Sequence, residues 1–317
     1  TAETIMAKPV TQITFGVDVA KDELVIHHWQ NDQNTTIENQ PTIIRKWLKK
    51  LYGPVRIALE PTSNYHLVMV EAILELGHSA YLVNPRQLAH YRYAVNVRNK
   101  TDADDAWLLA RYLEHESGEL RPFRPQSRQA QRLWALMTRR ATVVQSQQRL
   151  QQSMREVNFS VQALITQFRH LLVRLDRQIQ QLIHALGWWH RYLYCLSIPG
   201  IGPANAAALV ATYHRGAFAG SDAFIAYMGL DIRLRESGRY KGKSKLSKQG
   251  EPELRRLLYC ASHAARHHPR FADYYQRMLD KGLSKIAARV ALARKLARIA
   301  FTLMQTQQPF REIPKMT

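Results

Sequence analysis

The chain reads as a mixed β-sheet flanked by helices, then a long helical stretch, then a basic and mostly helical C-terminal part. Three observations predict this. Short apolar strands alternate with helically spaced segments over residues 13–94. An apolar stripe at 3,4 spacing runs through residues 129–186. Charge is divided unevenly: residues 1–120 carry 12 Lys/Arg against 15 Asp/Glu, whereas residues 121–317 carry 33 against 10. The boundaries that follow are 1–120 for the sheet domain, 121–190 for the helical region and 191–317 for the basic domain.

The strands and helices come in the order three strands, helix, strand, helix, strand, helices. Residues 13–18 alternate apolar and polar, and Leu24 to Ile26 supplies a hairpin partner. Residues 35–38 make a third, weaker strand. Ile44, Trp47, Leu48 and Leu51 have helical spacing behind Pro41, which suits a first turn. Residues 55–59 form the fourth strand and run into Glu60; a helix over 65–76 ends at Gly77; residues 79–83 form the fifth strand, and Pro85 opens the next helix. Farther on, Ile165, Phe168, Leu172, Leu175, Ile179, Leu182 and Leu186 repeat for three heptads. That seam fits an antiparallel helical pair within the chain and a coiled coil between subunits equally well.

Composition narrows the function. A net charge of +20 with 46% apolar residues describes a folded basic protein. A near-neutral half joined to a strongly basic one points to a polyanion partner, most simply nucleic acid. A membrane partner is not expected, since there is no lipidation signal, long uncharged apolar span or signal-peptide core. Two cysteines, Cys195 and Cys260, form no disulfide framework or zinc set and suit a reducing cytoplasm.

The chemistry-bearing residues are acids in one half and bases in the other. Asp18 ends the first strand, Glu60 follows the fourth, and Asp102, Asp104 and Asp105 open a helix. Asp102 and Asp105 share a helix face, and Asp104 points elsewhere. Four carboxylates delivered by two strand ends and one helix face suit a hard cation, one or two Mg²⁺, for phosphodiester chemistry. In the basic half, a helix, a Pro199-Gly-Ile-Gly202 turn and an Ala-rich helix resemble a helix-hairpin-helix. There Gly200, Gly202 and Asn205 lie where backbone N–H groups can meet a phosphate. Residues 233–248 hold Arg233, Arg235, Arg239, Lys241, Lys243, Lys245 and Lys248 with one acid, Glu236. Glycines keep this stretch from being one helix, so a flexible, phosphate-facing loop is expected. On chemistry alone its serines Ser237, Ser244 and Ser247 are equivalent.

These residues resemble the DEDD transposases of bacterial insertion elements. Those proteins are similar at their N-terminus to the RuvC junction resolvase and include the Piv DNA invertase. The resemblance runs from about residue 12 to about 305 and implies an α/β RNase H-like (RuvC-like) catalytic domain, a coiled-coil arm and a helical transposase domain. It places the family's acids at Asp18, Glu60, Asp102 and Asp105, and a nucleophilic serine at Ser237 in Arg235-Glu-Ser-Gly238, with Ser247-Lys-Gln-Gly250 behind it. It implies DNA cleavage and rejoining through a covalent phosphoserine, with Mg²⁺ (Mn²⁺ as a substitute) on the four acids and Arg235 and Arg239 neutralising the transition state. It implies donor and target double-stranded DNA as substrates, an element-encoded bridge RNA as guide, and a dimer assembling to a tetramer on DNA in the bacterial cytoplasm. Three rivals share part of the pattern. A resolvase-type metal nuclease would leave Ser237 idle. A sugar-kinase or actin-like ATPase would need further glycine-rich phosphate loops. A non-catalytic nucleic-acid binder would not need the acid quartet.

Overall fold

A computed structural model describes residues 13–118, 120–233, 236–237, 240–241 and 245–311, with 236, 237, 240 and 241 as backbone. The chain divides into two compact units, 1–125 and 126–317.

The first unit is a three-layer arrangement around one sheet. Its strands are β1 (Thr14–Val19), β2 (Glu23–His28), β3 (Gln33–Glu38), β4 (Arg56–Leu59) and β5 (Ser79–Leu82), in the spatial order β3-β2-β1-β4-β5. The first three form an antiparallel meander, while β1, β4 and β5 run parallel. The helices are α1 (Pro41–Leu48), α2 (His66–Glu75), α3 (Pro85–Ala94) and α4 (Asp102–His115).

Strand alternation sorts the side chains between the layers. Phe15, Val17, Val19, Ile57 and Leu59 pack with Ile44 and Leu48 of α1 and Met69 and Ile73 of α2. The opposite face carries Ala58, which packs with Leu88 of α3 and Leu108, Leu109 and Leu113 of α4. On that second face β1 presents Thr14, Gly16 and Asp18, and α4 lies along them in the reverse direction. At one end the Thr14 hydroxyl donates to Glu114 at 2.7 Å, and Arg56 bridges to both. In the middle Gly16 meets the α4 backbone: an added Cβ would fall inside the contact distance of Ala106 O and Ala110 N and lie 3.0 Å from Leu109 Cβ. At the other end Asp18 comes near the first turn of α4.

The second unit is helical. Its first two helices, α5 (Arg128–Glu156) and α6 (Gln162–Ala185), form an antiparallel pair. Arg140 pairs with Asp176 at 2.5 Å midway, and Leu133 shares a core with Ile179 and Ile183 at the base. The 3,4 seam is therefore filled within the chain at its base, where it joins the core of α7 (Trp189–Leu196), α8 (Pro203–Arg215), α9 (Ser221–Tyr227), α10 (Pro252–Ala265), α11 (Pro269–Asp280) and α12 (Lys285–Thr306). Toward its tip, Val157, Phe159, Leu164, Leu171 and Val173 are exposed. Helix α12 is central, burying Leu292, Leu296, Ala300, Phe301 and Met304. Part of its charge is engaged internally: Lys295 lies over Tyr274, Arg289 over Tyr259, and Arg298 pairs with Asp222.

The basic stretch is not one helix, as its glycines predict, and its described residues add strand pairing that the sequence did not announce. Between α9 and α10 the chain forms two short antiparallel ladders, β6 (Ile232–Arg233) with β9 (Lys245–Leu246) and β7 (Glu236–Ser237) with β8 (Tyr240–Lys241). Among the described residues the pairing joins only four residue pairs, too few for side-chain periodicity to signal.

The β1–α4 seam yields a direct expectation. Gly16→Ala should destabilise the protein by about 1–3 kcal/mol, because the new methyl has only backbone to displace. A lower urea midpoint at unchanged secondary structure would show it; a wild-type midpoint would mean that α4 shifts freely on the sheet.

Candidate active site

Two adjacent strand ends and one helix start create the acid cluster. The parallel register pairs Gly16 with Ala58 and Val17 with Leu59. Its continuation sets Asp18 beside Glu60, both on the α4 side of the sheet. Helix α4 enters there because Thr101 caps it. The Thr101 hydroxyl accepts from the Asp104 N–H at 3.1 Å, and the Asp104 carboxylate accepts from the Thr101 N–H at 3.2 Å and its hydroxyl at 2.7 Å. This reciprocal capping box satisfies donors that a helix start leaves open. It also assigns the third acid: Asp104 is occupied by the cap, leaving Asp102 and Asp105 on the face toward the sheet.

The electrostatics reflect one shared site. Burial raises the Asp18 carboxyl above its ordinary value, and the charges of Asp102 and Glu60 push it further. An N–H bond from Val19 and the charge of Lys100 oppose the rise. Burial also raises Glu60, against Lys100 and Arg92. Asp105 differs, because Arg92 of α3 donates a guanidinium hydrogen bond to its Oδ1. The structure thus puts Asp18 under the charges of Asp102 and Glu60 and gives Asp105 an internal cation. Among the described residues, no three acids, histidines or cysteines are close enough to hold a metal ion as they stand. The donor set nevertheless fits a hard divalent cation: it is all carboxylate oxygen, with Asp18, Glu60 and Asp105 half-buried and Asp102 exposed, and the repulsion on Asp18 is one that such an ion would relieve.

Of the sites expected in the basic half, Gly200 and Gly202 play separate parts. Gly200 has φ +89, and a Cβ there would collide with Ala261 and Ala265 of α10, so this glycine is required by packing. Gly202 borders open space as the N-cap of α8, with Pro203 in the first turn and Asn205 half-buried behind it. Ser237 lies on β7, in register with Tyr240, and Lys241 pairs with Glu236. Arg233 and Lys245 face each other across the β6–β9 ladder. Arg235, Arg239, Lys243 and Ser244 lie outside the described residues.

The base of this double hairpin is tightly built. Ser247 donates its hydroxyl to Asp231 and its N–H to the Asp231 carbonyl at 3.0 Å. Lys248, at φ +55, donates its N–H to Gly229 O, and Gln249 N–H donates to the Ser247 hydroxyl. Gly250 leaves no room for a Cβ against residues 227–229. Arg255 of α10 donates to Met228 O at 3.3 Å and Gly250 O at 2.9 Å. The Ser-Lys-x-Gly motif is thus a clasp closing the loop that carries Ser237. Ser247, with its oxygen held by a carboxylate, is a fastening residue.

Family models match both parts of the chain. A transposase model of the DEDD type covers residues 15–157, and one described as transposase IS116/IS110/IS902 family covers 194–276. The chain belongs to this transposase family. Pilin gene-inverting proteins of Moraxella bovis and Moraxella lacunata are each 27% identical over 314 residues, covering 93% of this chain and 96% of theirs. A probable family 20 transposase of Pseudomonas aeruginosa is 25% identical, covering 93% of this chain and 98% of its own. The protein is accordingly an IS110-family enzyme of DNA recombination. Among its described residues, no helix is long and apolar enough to cross a membrane.

Residue reasoning did not single out Arg92, Lys100, Asp231 or Arg255. Only the cap was announced locally, by Thr101 standing three residues before Asp104.

The acids are separable by stability measurements. Asp18→Asn should raise the melting temperature in chelator, since it removes a desolvated and repelled charge, and should lose the stabilisation that added Mn²⁺ gives the wild type. Asp104→Ala should cost about 0.5–1.5 kcal/mol through the bonds its carboxylate accepts from Thr101 yet keep the Mn²⁺ response. The opposite pattern would exchange their roles.

Proposed function

We propose that this IS110-family transposase cleaves and rejoins DNA through a covalent bond to Ser237, with the acid cluster of an RNase H-like N-terminal domain as its metal site. The clustering of Asp18, Glu60 and Asp102, with Asp18 raised by burial and then by the charges of Asp102 and Glu60, supports the reading. Asp18, Glu60, Asp102 and Asp105 would hold Mg²⁺, which when bound stabilises negative charge on phosphoryl and leaving oxygens. Ser237 Oγ forms a bond to a DNA phosphorus as the bond from that phosphorus to a deoxyribose oxygen breaks. The serine proton ends on the released hydroxyl, and the phosphoserine ester retains the bond energy for rejoining to another end. Arg235 and Arg239, the guanidiniums nearest to Ser237 in sequence, neutralise the developing charge.

The rest of the basic part has a positioning role. Gly202 and Asn205 at the start of α8, together with Arg233, Lys241, Lys243, Lys245 and Lys248, contact phosphates, and Gly200 keeps the turn packed. Phosphate contacts carry no sequence information. The choice of donor and target is therefore assigned to an element-encoded bridge RNA, paired in a positively charged setting. Relatives named for pilin gene inversion and for transposition support reading the two as outcomes of the same cleavage and rejoining. Dimers assembling to a tetramer would meet through the exposed apolar side chains near the arm tip, such as Phe159 and Leu171.

Ser237→Ala should retain folding and nucleic-acid binding and lose strand exchange, with no covalent protein–DNA species on a denaturing gel. Ser244→Ala should still form the adduct. Cleavage that survives in Ser237→Ala without any adduct would replace the serine mechanism by metal-activated water.

Phe159→Asp or Leu171→Asp should lower the assembled mass in light scattering with little change in melting temperature, because both side chains are exposed. A wild-type protein that is monomeric both free and on nucleic acid would remove the assembly role of the arm.

A further inference from the structure

We propose that Arg92 is a resident counter-ion of the acid site: it occupies Asp105 until a divalent cation takes its place, and its departure loosens the segment that leads into α4. The inference rests on the metal-site reading above and goes beyond it in assigning a residue outside the quartet.

Arg92 stands in the last turn of α3. One arm of its guanidinium bonds Asp105 Oδ1, and the other donates to Asn99 O at 2.8 Å. Both side chains are largely shielded, Arg92 at 16% and Asp105 at 18% exposure. A single group thus fastens three pieces: the end of α3, the connection over residues 96–101, and the first turns of α4. That connection starts at Asn96, in left-handed conformation at φ 58, and carries Lys100, whose charge acts on Asp18 and Glu60. The two cations overlap on the cluster: Arg92 bonds Asp105 and acts on Glu60, and Lys100 acts on Asp18 and Glu60.

Competition follows from charge and size. A guanidinium covers a carboxylate with a single delocalised charge through hydrogen bonds of about 2.7–2.9 Å. A magnesium-sized ion brings twice the charge to about 2.0–2.1 Å from oxygen. Two cations on one carboxylate repel each other, so an ion that engages Asp105 Oδ1 weakens the hold of Arg92. When Nη2 leaves Asp105, the same guanidinium must rotate, and the bond from Nη1 to Asn99 O goes with it. Loading would therefore be read out in the backbone of residues 96–101.

The test uses the full-length protein without nucleic acid. Mn²⁺ is titrated by calorimetry into wild type, Arg92→Gln, Arg92→Lys and Asp18→Asn, and amide exchange of residues 96–101 is followed with and without Mn²⁺. Arg92→Gln should bind Mn²⁺ roughly three- to tenfold tighter, the scale of about one partly shielded ion pair. Arg92→Lys, a cation without the planar fork, should fall between the two. Exchange over 96–101 should quicken on adding Mn²⁺ to wild type and should already be fast in Arg92→Gln. Equal or weaker Mn²⁺ binding in both Arg92 variants, or a connection whose exchange ignores Mn²⁺, would overturn the proposal. Loss of Mn²⁺ binding in Asp18→Asn alongside wild-type affinity in Arg92→Gln would sink only this inference. Wild-type affinity in Asp18→Asn would remove the metal-site reading and this proposal with it.

Discussion

The backbone approach of α4 to β1 at Gly16 is the contact on which the N-terminal unit depends. A helix normally stands off a sheet by the thickness of side chains, but here the strand offers none at the crossing point. That closeness lets a carboxylate at the end of the strand, Asp18, and one in the first turn of the helix, Asp102, act on each other. The Thr14–Glu114–Arg56 network fastens the far end, so the helix cannot pivot away without breaking bonds to a buried threonine. Glu60 joins through the parallel pairing of β1 with β4, which makes its position a matter of strand register. Three acids from distant points in the chain thereby become one charged object.

Much of this was legible because its signals are local. Alternating apolar residues in 13–18 and 55–59 located the strands, and the acids following them are read from the same lines. The spacing of Asp102 and Asp105 gave a common face, while the separate part of Asp104 became clear only with its bonds to Thr101. Arg92 was not legible, since nothing at residue 92 reveals that α3 docks where its guanidinium reaches Asp105. The 3,4 seam of α6 was plain, but periodicity does not say which helix fills it; Leu133 and the Arg140–Asp176 rung answer that at the base. The ladders around Ser237 were missed because two-residue strands have almost no pattern. Helix α11 was also missed, although Pro269 opens it and Phe271 and Tyr275 stand four apart on its buried side.

The second unit shows how a very basic sequence can still fold. Several of its cations are consumed internally, over the rings of Tyr274, Tyr259 and Trp134 or against Asp222 and Asp176. Such contacts let long cationic stems cover apolar surface while repulsion is reduced. Net charge alone therefore overstates how many cations are available to an external polyanion.

The clasp at the root of the double hairpin divides holding from reacting. Gly229, Asp231, Ser247, Gly250 and Arg255 interlock through backbone contacts and leave little room for substitution. The described strands β6 and β9 leave the helical body from this closed root. The root thus works as a socket for the segment that carries Ser237, tying the proposed nucleophile to the helical body through residues that take no part in the chemistry.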